Sequence, residues 1–93
     1  MIVGSLKVRL MIREARTLKD KRRVVRSILD RLKNEFNVSA AEVDALDEYR
    51  TAVLGFAMAG WDGKAVRDAL QKIAEALRQH PVAEFVSAEF DQV

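Results

Sequence analysis

The residues of this chain best placed to do chemistry are cations. Lys19, Arg22, Arg23, Arg26 and Lys33 recur at helical spacings and share one sector of roughly 100° on a helical wheel, with Asp30 the only acid among them. The pairs Lys19/Arg22, Lys19/Arg23, Arg22/Arg26 and Arg23/Arg26 each repel by a few tenths of a kcal/mol. Cations in a first helical turn also oppose the helix dipole, at about 0.3–1 kcal/mol each when exposed at low salt. The arrangement therefore costs about 1–2 kcal/mol of local stability unless an anion relieves it. A second amphipathic stretch serves as an internal control: there Lys64, Asp68, Lys72 and Glu75 alternate in sign, which is what a merely solvated face favours.

Unrelieved positive charge on one helical face suits a phosphate backbone. Arg13 and Arg16 lie in the loop entering the helix, where free N–H groups favour an anion, so loop and stripe are expected to join in one track. Lys7 and Arg9, on the first strand, are secondary candidates. Contacts of this kind position a nucleic acid without reading its sequence.

Other chemistries lack their parts. There is no cysteine, so thiolate metal sites and disulfides are excluded, and a reducing compartment is expected. Asp44, Asp47 and Glu48 sit near a turn, where carboxylates are ordinarily solvated, and no metal or other cofactor is expected. His80 is the one histidine; it precedes Pro81 without an identifiable acid or nucleophile partner and is expected at a helix end. No catalytic residue is assigned, and the chain is expected to be non-enzymatic, with no small-molecule substrate.

These residues need elements to hold them. From Ile2 to Arg13, Ile2, Leu6, Val8, Leu10 and Ile12 alternate with Val3, Ser5, Lys7, Arg9 and Met11, the period of a half-buried strand. Thr17, with Asp20 three residues on, is a capping-box variant opening a helix of about five turns, its apolar side Leu18, Val24, Val25, Ile28, Leu29, Leu32 and Phe36. "NVSAAEVDAL" and "TAVLGFAMAG" read as strands joined around Asp47–Arg50. Asp62 caps a second helix with Val66, Ala69, Leu70, Ile73 and Leu77 inward, and a last strand is expected over Val82–Phe90. The order is βαββαβ. It leads most simply to one ferredoxin-like α+β domain over residues 1–93, a four-stranded antiparallel sheet with two helices on one face.

The other sheet face is then open. "LGFAMAGW" resembles part of the aromatic strand motif of RNA-recognition-motif domains, but Leu54 and Met58 replace its usual basic and aromatic residues, so Leu54, Phe56 and Met58 are expected inward. Val53, Gly55, Ala57 and Ala59 would face outward as a small apolar patch, a candidate homodimer interface. Trp61 and Tyr49 are expected to pack on the rims of the third strand. Enzymes on this architecture set a comparison: the loop "REARTLK" has neither the Gly nor the Asn of the acylphosphatase phosphate cradle.

Residues 1–33 hold 11 Lys/Arg against 3 Asp/Glu, a balance of +8, and residues 34–93 hold 5 against 11, a balance of −6. Such asymmetry points to an anionic partner; the alternative is that the halves neutralise each other across the fold. No membrane span or signal-peptide pattern is present, and a cytoplasmic location is expected.

The segments "VGSLKVRLMI", "ARTLKDKRRVVRSILDRLKNEFNVSAAEV" and "AVLGFAMA" together resemble the small bacterial YlxP-like proteins, a family of unknown function, over nearly the whole chain. The resemblance implies a ferredoxin-like fold. It also implies a setting among bacterial genes for translation initiation, transcription elongation and ribosome maturation, hence an RNA-linked role. Tyr49 and Arg50 stand where Trp-Gln is frequent in that family. The combined expectation is an RNA- or ribosome-associated binding protein. The alternative is a homodimeric module whose basic helix docks an acidic protein.

Overall fold

The computed structural model describes all 93 residues. The elements run β1 (Ile2–Met11), α1 (Leu18–Glu35), β2 (Ser39–Asp44), β3 (Thr51–Gly60), α2 (Gly63–Arg78) and β4 (Glu84–Gln92). The sheet order is β2-β3-β1-β4, with every neighbouring pair antiparallel. This is the ferredoxin-like α+β sandwich. No helix is long and apolar enough to cross a membrane.

Alternation in β1 buries Leu6, Val8 and Leu10, and their Cα partners on β3, Phe56, Leu54 and Ala52, are buried beside them. Val25, Ile28 and Leu32 of α1 and Val66, Leu70, Ile73 and Leu77 of α2 close over this face in one continuous apolar cluster. Which face of β3 is buried is thereby settled: Leu54 and Phe56 point to the helices, and Met58 packs partly buried against the same cluster.

The caps form as the residue types dictate. The Thr17 hydroxyl accepts from the Asp20 N–H at 3.1 Å, and the Asp62 carboxylate accepts from the Lys64 N–H at 3.1 Å. Strand ends depart from the sequence reading by two residues at the end of β1 and at both ends of β2 and β4, and two of these shifts have a visible cause. β2 ends earlier than expected because Ala45 takes a left-handed conformation, φ 55°, which turns the chain out of the ladder. β4 starts later, because the backbone N–H groups of Val82 and Ala83 are used elsewhere: both donate to His80 Nδ1, at 3.1 and 3.0 Å.

The sheet carries two register shifts, at Val43 in β2 and Val86 in β4, each an extra residue between paired neighbours. Val43 lies over Gly55, where a Cβ would come within 2.8 Å of its Cγ1. Only glycine leaves room there for the bulge side chain.

His80 holds the α2–β4 turn only while Nδ1 is unprotonated. Burial, with the Arg31 charge second, lowers its pKa from 6.5. The sign follows: the unfolded chain takes up the proton more readily, so this contribution is complete above pH 6.5 and is lost as pH falls through the depressed folded value. The melting temperature is expected to drop between pH 7 and pH 5. His80→Asn, whose carbonyl still accepts but does not titrate, should flatten that drop in the same thermal-denaturation series.

Candidate functional site

The face that α1 turns inward fixes what its other face presents. Lys21, Val25, Ile28 and Leu32 are its buried residues, on one line of the helix. Successive residues rotate by about 100°, so Lys19, Arg22, Arg23, Arg26 and Lys33 all fall about 100–200° from Lys21, on the outer side. Each is exposed, and none makes an ion pair within the chain, whereas Lys7, Arg13, Lys21, Arg31, Lys64 and Arg78 all do. Lys19, Arg22, Arg23 and Arg26 line an open concavity with Ser27 and Asp30, and no apolar residue enters it. Lys33 lies beyond it, in the last turn.

The other sequence candidates are distributed less simply. Arg13 is engaged: its guanidinium donates to Glu84 at the start of β4, which raises its own pKa and lowers that of Glu84. Arg16 is exposed and its side chain makes no ion pair, but its backbone N–H donates to the Asp20 carboxylate at 3.0 Å. That hydrogen bond is the main reason the Asp20 pKa lies below its usual value. Arg16 precedes the Thr17 cap, so this bond ties down the chain entering the helix, while among the first-turn N–H groups that of Asp20 is held by Thr17. The Asp20 carboxylate and the Arg13–Glu84 pair place negative charge between loop and stripe.

On the open face of the sheet, Lys7 pairs with Glu89 at 3.5 Å, and Arg9 is exposed without an ion pair. Ala57 and Ala59 are exposed and Gly55 is half-buried under Val43. Val53 is a correction to the expected patch. It faces outward by alternation but is only 3% exposed, with Arg9 and Asp44 as its flanking Cα partners, so the sheet's own side chains cover it. Trp61 is a second correction: it is 91% exposed rather than packed on a rim, because the chain leaves the sheet at Gly60 and turns into the Asp62 cap. Tyr49 is partly exposed, with the Arg50 guanidinium 5.2 Å from its ring centre.

Sequence reasoning missed Lys21. Its side chain is fully buried, and its ammonium donates to the carbonyl oxygens of Ala45 at 2.9 Å, Thr51 at 3.1 Å and Leu46 at 3.5 Å. Glu42 Oε2 lies 2.7 Å from the same nitrogen, nearer than any of the carbonyls, so the ammonium sits in a buried ion pair as well as a ring of carbonyl oxygens. The signal was present: a lysine one turn before Val25, on the line that Ile28 and Leu32 continue. Arg50 supports the same junction, its Nε donating to the Ala15 carbonyl at 3.3 Å while its own carbonyl accepts from the Ile12 N–H at 2.7 Å.

Residues 3–90 match the family model described as "Protein of unknown function (DUF503)". The chain belongs to this family. It is also 29% identical, over 83 residues covering 89% of this chain and 90% of the relative, to the "Uncharacterized protein YlxP" of Bacillus subtilis (strain 168). The family match takes in the whole of α1 and both loops that Lys21 and Arg50 tie together.

The buried pair makes a sharp stability prediction. Lys21→Met removes the donor from three carbonyls and leaves Glu42 uncompensated, and is expected to cost about 3–5 kcal/mol in urea denaturation. Adding Glu42→Leu to that variant should restore part of the loss, because the orphaned charge is then gone.

Proposed function

We propose that this chain is a non-enzymatic RNA- or ribosome-associated binding protein that contacts phosphate backbone through the outer face of α1. The observation that carries this reading is the clustering of unpaired cations on one helical face. Lys19, Arg22, Arg23, Arg26 and Lys33 make no ion pair and have only Asp30 among them, whereas the other unpaired cations, Arg9, Arg16, Arg50, Arg67 and Lys72, are spread over the rest of the chain.

Lys19 to Lys33 spans about 21 Å of helix at 1.5 Å per residue, room for several successive phosphates. Arginine dominates the stripe, and its planar fork suits bidentate phosphate contact better than a point charge does. No aromatic side chain that could stack a base accompanies the stripe: the concavity is lined by charged side chains and Ser27. In this reading the contact is backbone-directed, and selectivity comes from the shape of the RNA or of its assembly. Arg13 and Arg16 flank the entrance to α1 at the edge of this surface, with Arg13 reduced in effect by Glu84. Lys7 and Arg9 belong to the sheet face, apart from this surface, and remain secondary, with Lys7 already paired to Glu89.

If about four phosphates are neutralised, log K for a structured RNA should fall against log salt with a slope of about −3 to −4. Arg22→Glu combined with Arg23→Glu should abolish RNA or ribosome co-sedimentation while circular dichroism stays unchanged. The melting temperature should hold or rise slightly, because repulsion along the helix falls. Undiminished binding by a folded double variant contradicts the reading.

A further inference from the structure

The two helices carry five acidic residues, and four of them are engaged. Asp20 accepts from the Arg16 N–H at 3.0 Å, Glu35 from Arg31 at 3.2 Å and Asp68 from Lys64 at 2.9 Å, and Glu75 lies 3.4 Å from Arg78. Asp30 is the exception. It is exposed and makes no ion pair, although Arg26 stands four residues before it and Lys33 three residues after it on the same face. The same cation-first spacing of four residues closes in Arg31–Glu35 and Lys64–Asp68, so spacing does not account for the open carboxylate.

Asp30 lines the concavity of α1 with Lys19, Arg22, Arg23 and Arg26, and exposed Ser27 lines it one turn earlier. Along the helix axis Asp30 lies about 6 Å past Arg26 and about 4.5 Å short of Lys33, at 1.5 Å per residue. A carboxylate in that position repels any phosphate laid over it, and it can only accept hydrogen bonds. Phosphate and ether oxygens of a nucleic-acid backbone only accept as well. RNA alone adds a backbone donor, the ribose 2′-hydroxyl. A strand following the stripe lays sugars as well as phosphates over it, so the cations take phosphates and Asp30 takes a sugar between them.

We infer, on the reading that α1 binds RNA backbone, that Asp30 and Ser27 form a ribose subsite that selects RNA by its 2′-hydroxyl. The hydroxyl donates to the Asp30 carboxylate, and the Ser27 hydroxyl donates to the 2′ oxygen. The cations set affinity for any polyphosphate strand. Asp30 sets which strand is tolerated, because one without the hydroxyl leaves the carboxylate facing phosphates with no donor between. Base amino groups are the other donors a nucleic acid presents, and they are the same whatever the sugar.

An RNA hairpin and its 2′-fluoro counterpart, both A-form and equal in charge, isolate this contact in fluorescence-anisotropy titrations at low salt. The wild-type chain should bind the hydroxyl form about tenfold more tightly, the lower end of what a hydrogen bond to a charged group contributes. Asp30→Ala should bind both forms alike, gaining on the fluoro form as repulsion is lost. Asp30→Asn, whose carbonyl still accepts, should keep part of the preference. Equal binding of both forms by the wild-type chain overturns the ribose subsite and leaves the phosphate reading standing. So does a preference that survives unchanged in Asp30→Ala, which assigns the hydroxyl to another contact. Failure of both hairpins to bind overturns the RNA reading and this subsite with it.

Discussion

One buried ammonium group sets the geometry of this protein. Lys21 is cut off from water and joins the first turn of α1 to the β2–β3 connection through three carbonyls and a carboxylate. An unpaired charge in that position would be costly, so the loop carbonyls have to converge on it. The left-handed turn at Ala45 helps bring them there. Because Lys21 continues the line of Val25, Ile28 and Leu32, it also fixes the rotation of α1 about its axis. The helix cannot turn to hide its cations without pulling this ammonium out of its cage.

The outer face of α1 is the consequence. Lys19, Arg22, Arg23 and Arg26 are held side by side with the apolar stripe anchored beneath them, and mutual repulsion is offset by burial rather than by local pairing. Elsewhere Arg13 is matched by Glu84 and Lys7 by Glu89, and Asp20 holds the Arg16 N–H just ahead of α1. The exposed cations of α1 lie along the side of the helix rather than at its end.

Much of this was legible in the sequence, because periodicity and caps act locally. Thr17 and Asp62 begin their helices as their side chains predict, and the alternation in β1 assigns its inward face, whereas β3, apolar on both faces, left that choice to the structure. What escaped is long-range or depends on backbone. The partners of Lys21 are mostly main-chain oxygens 24–30 residues away, which have no residue-type signature. The bulges at Val43 and Val86 insert residues without altering the hydrophobic pattern, and the one at Val43 places a valine over Gly55 on a face that simple alternation leaves bare. Val53 shows the limit of alternation: direction along a strand is readable, whereas coverage by neighbouring side chains is not. Trp61 shows the converse, a large aromatic left in solvent by where the chain departs from the sheet.

The central claim concerns which surface meets an anion, and residue-resolved nuclear magnetic resonance addresses it most directly. On titrating the ¹⁵N-labelled chain with a short RNA, amide and side-chain signals of Lys19, Arg22, Arg23, Arg26 and Lys33 should shift and saturate together, while Lys21 and the outward residues of β2 and β3 hold still. Shifts centred on the sheet face, or an α1 indifferent to RNA at low salt, would contradict it.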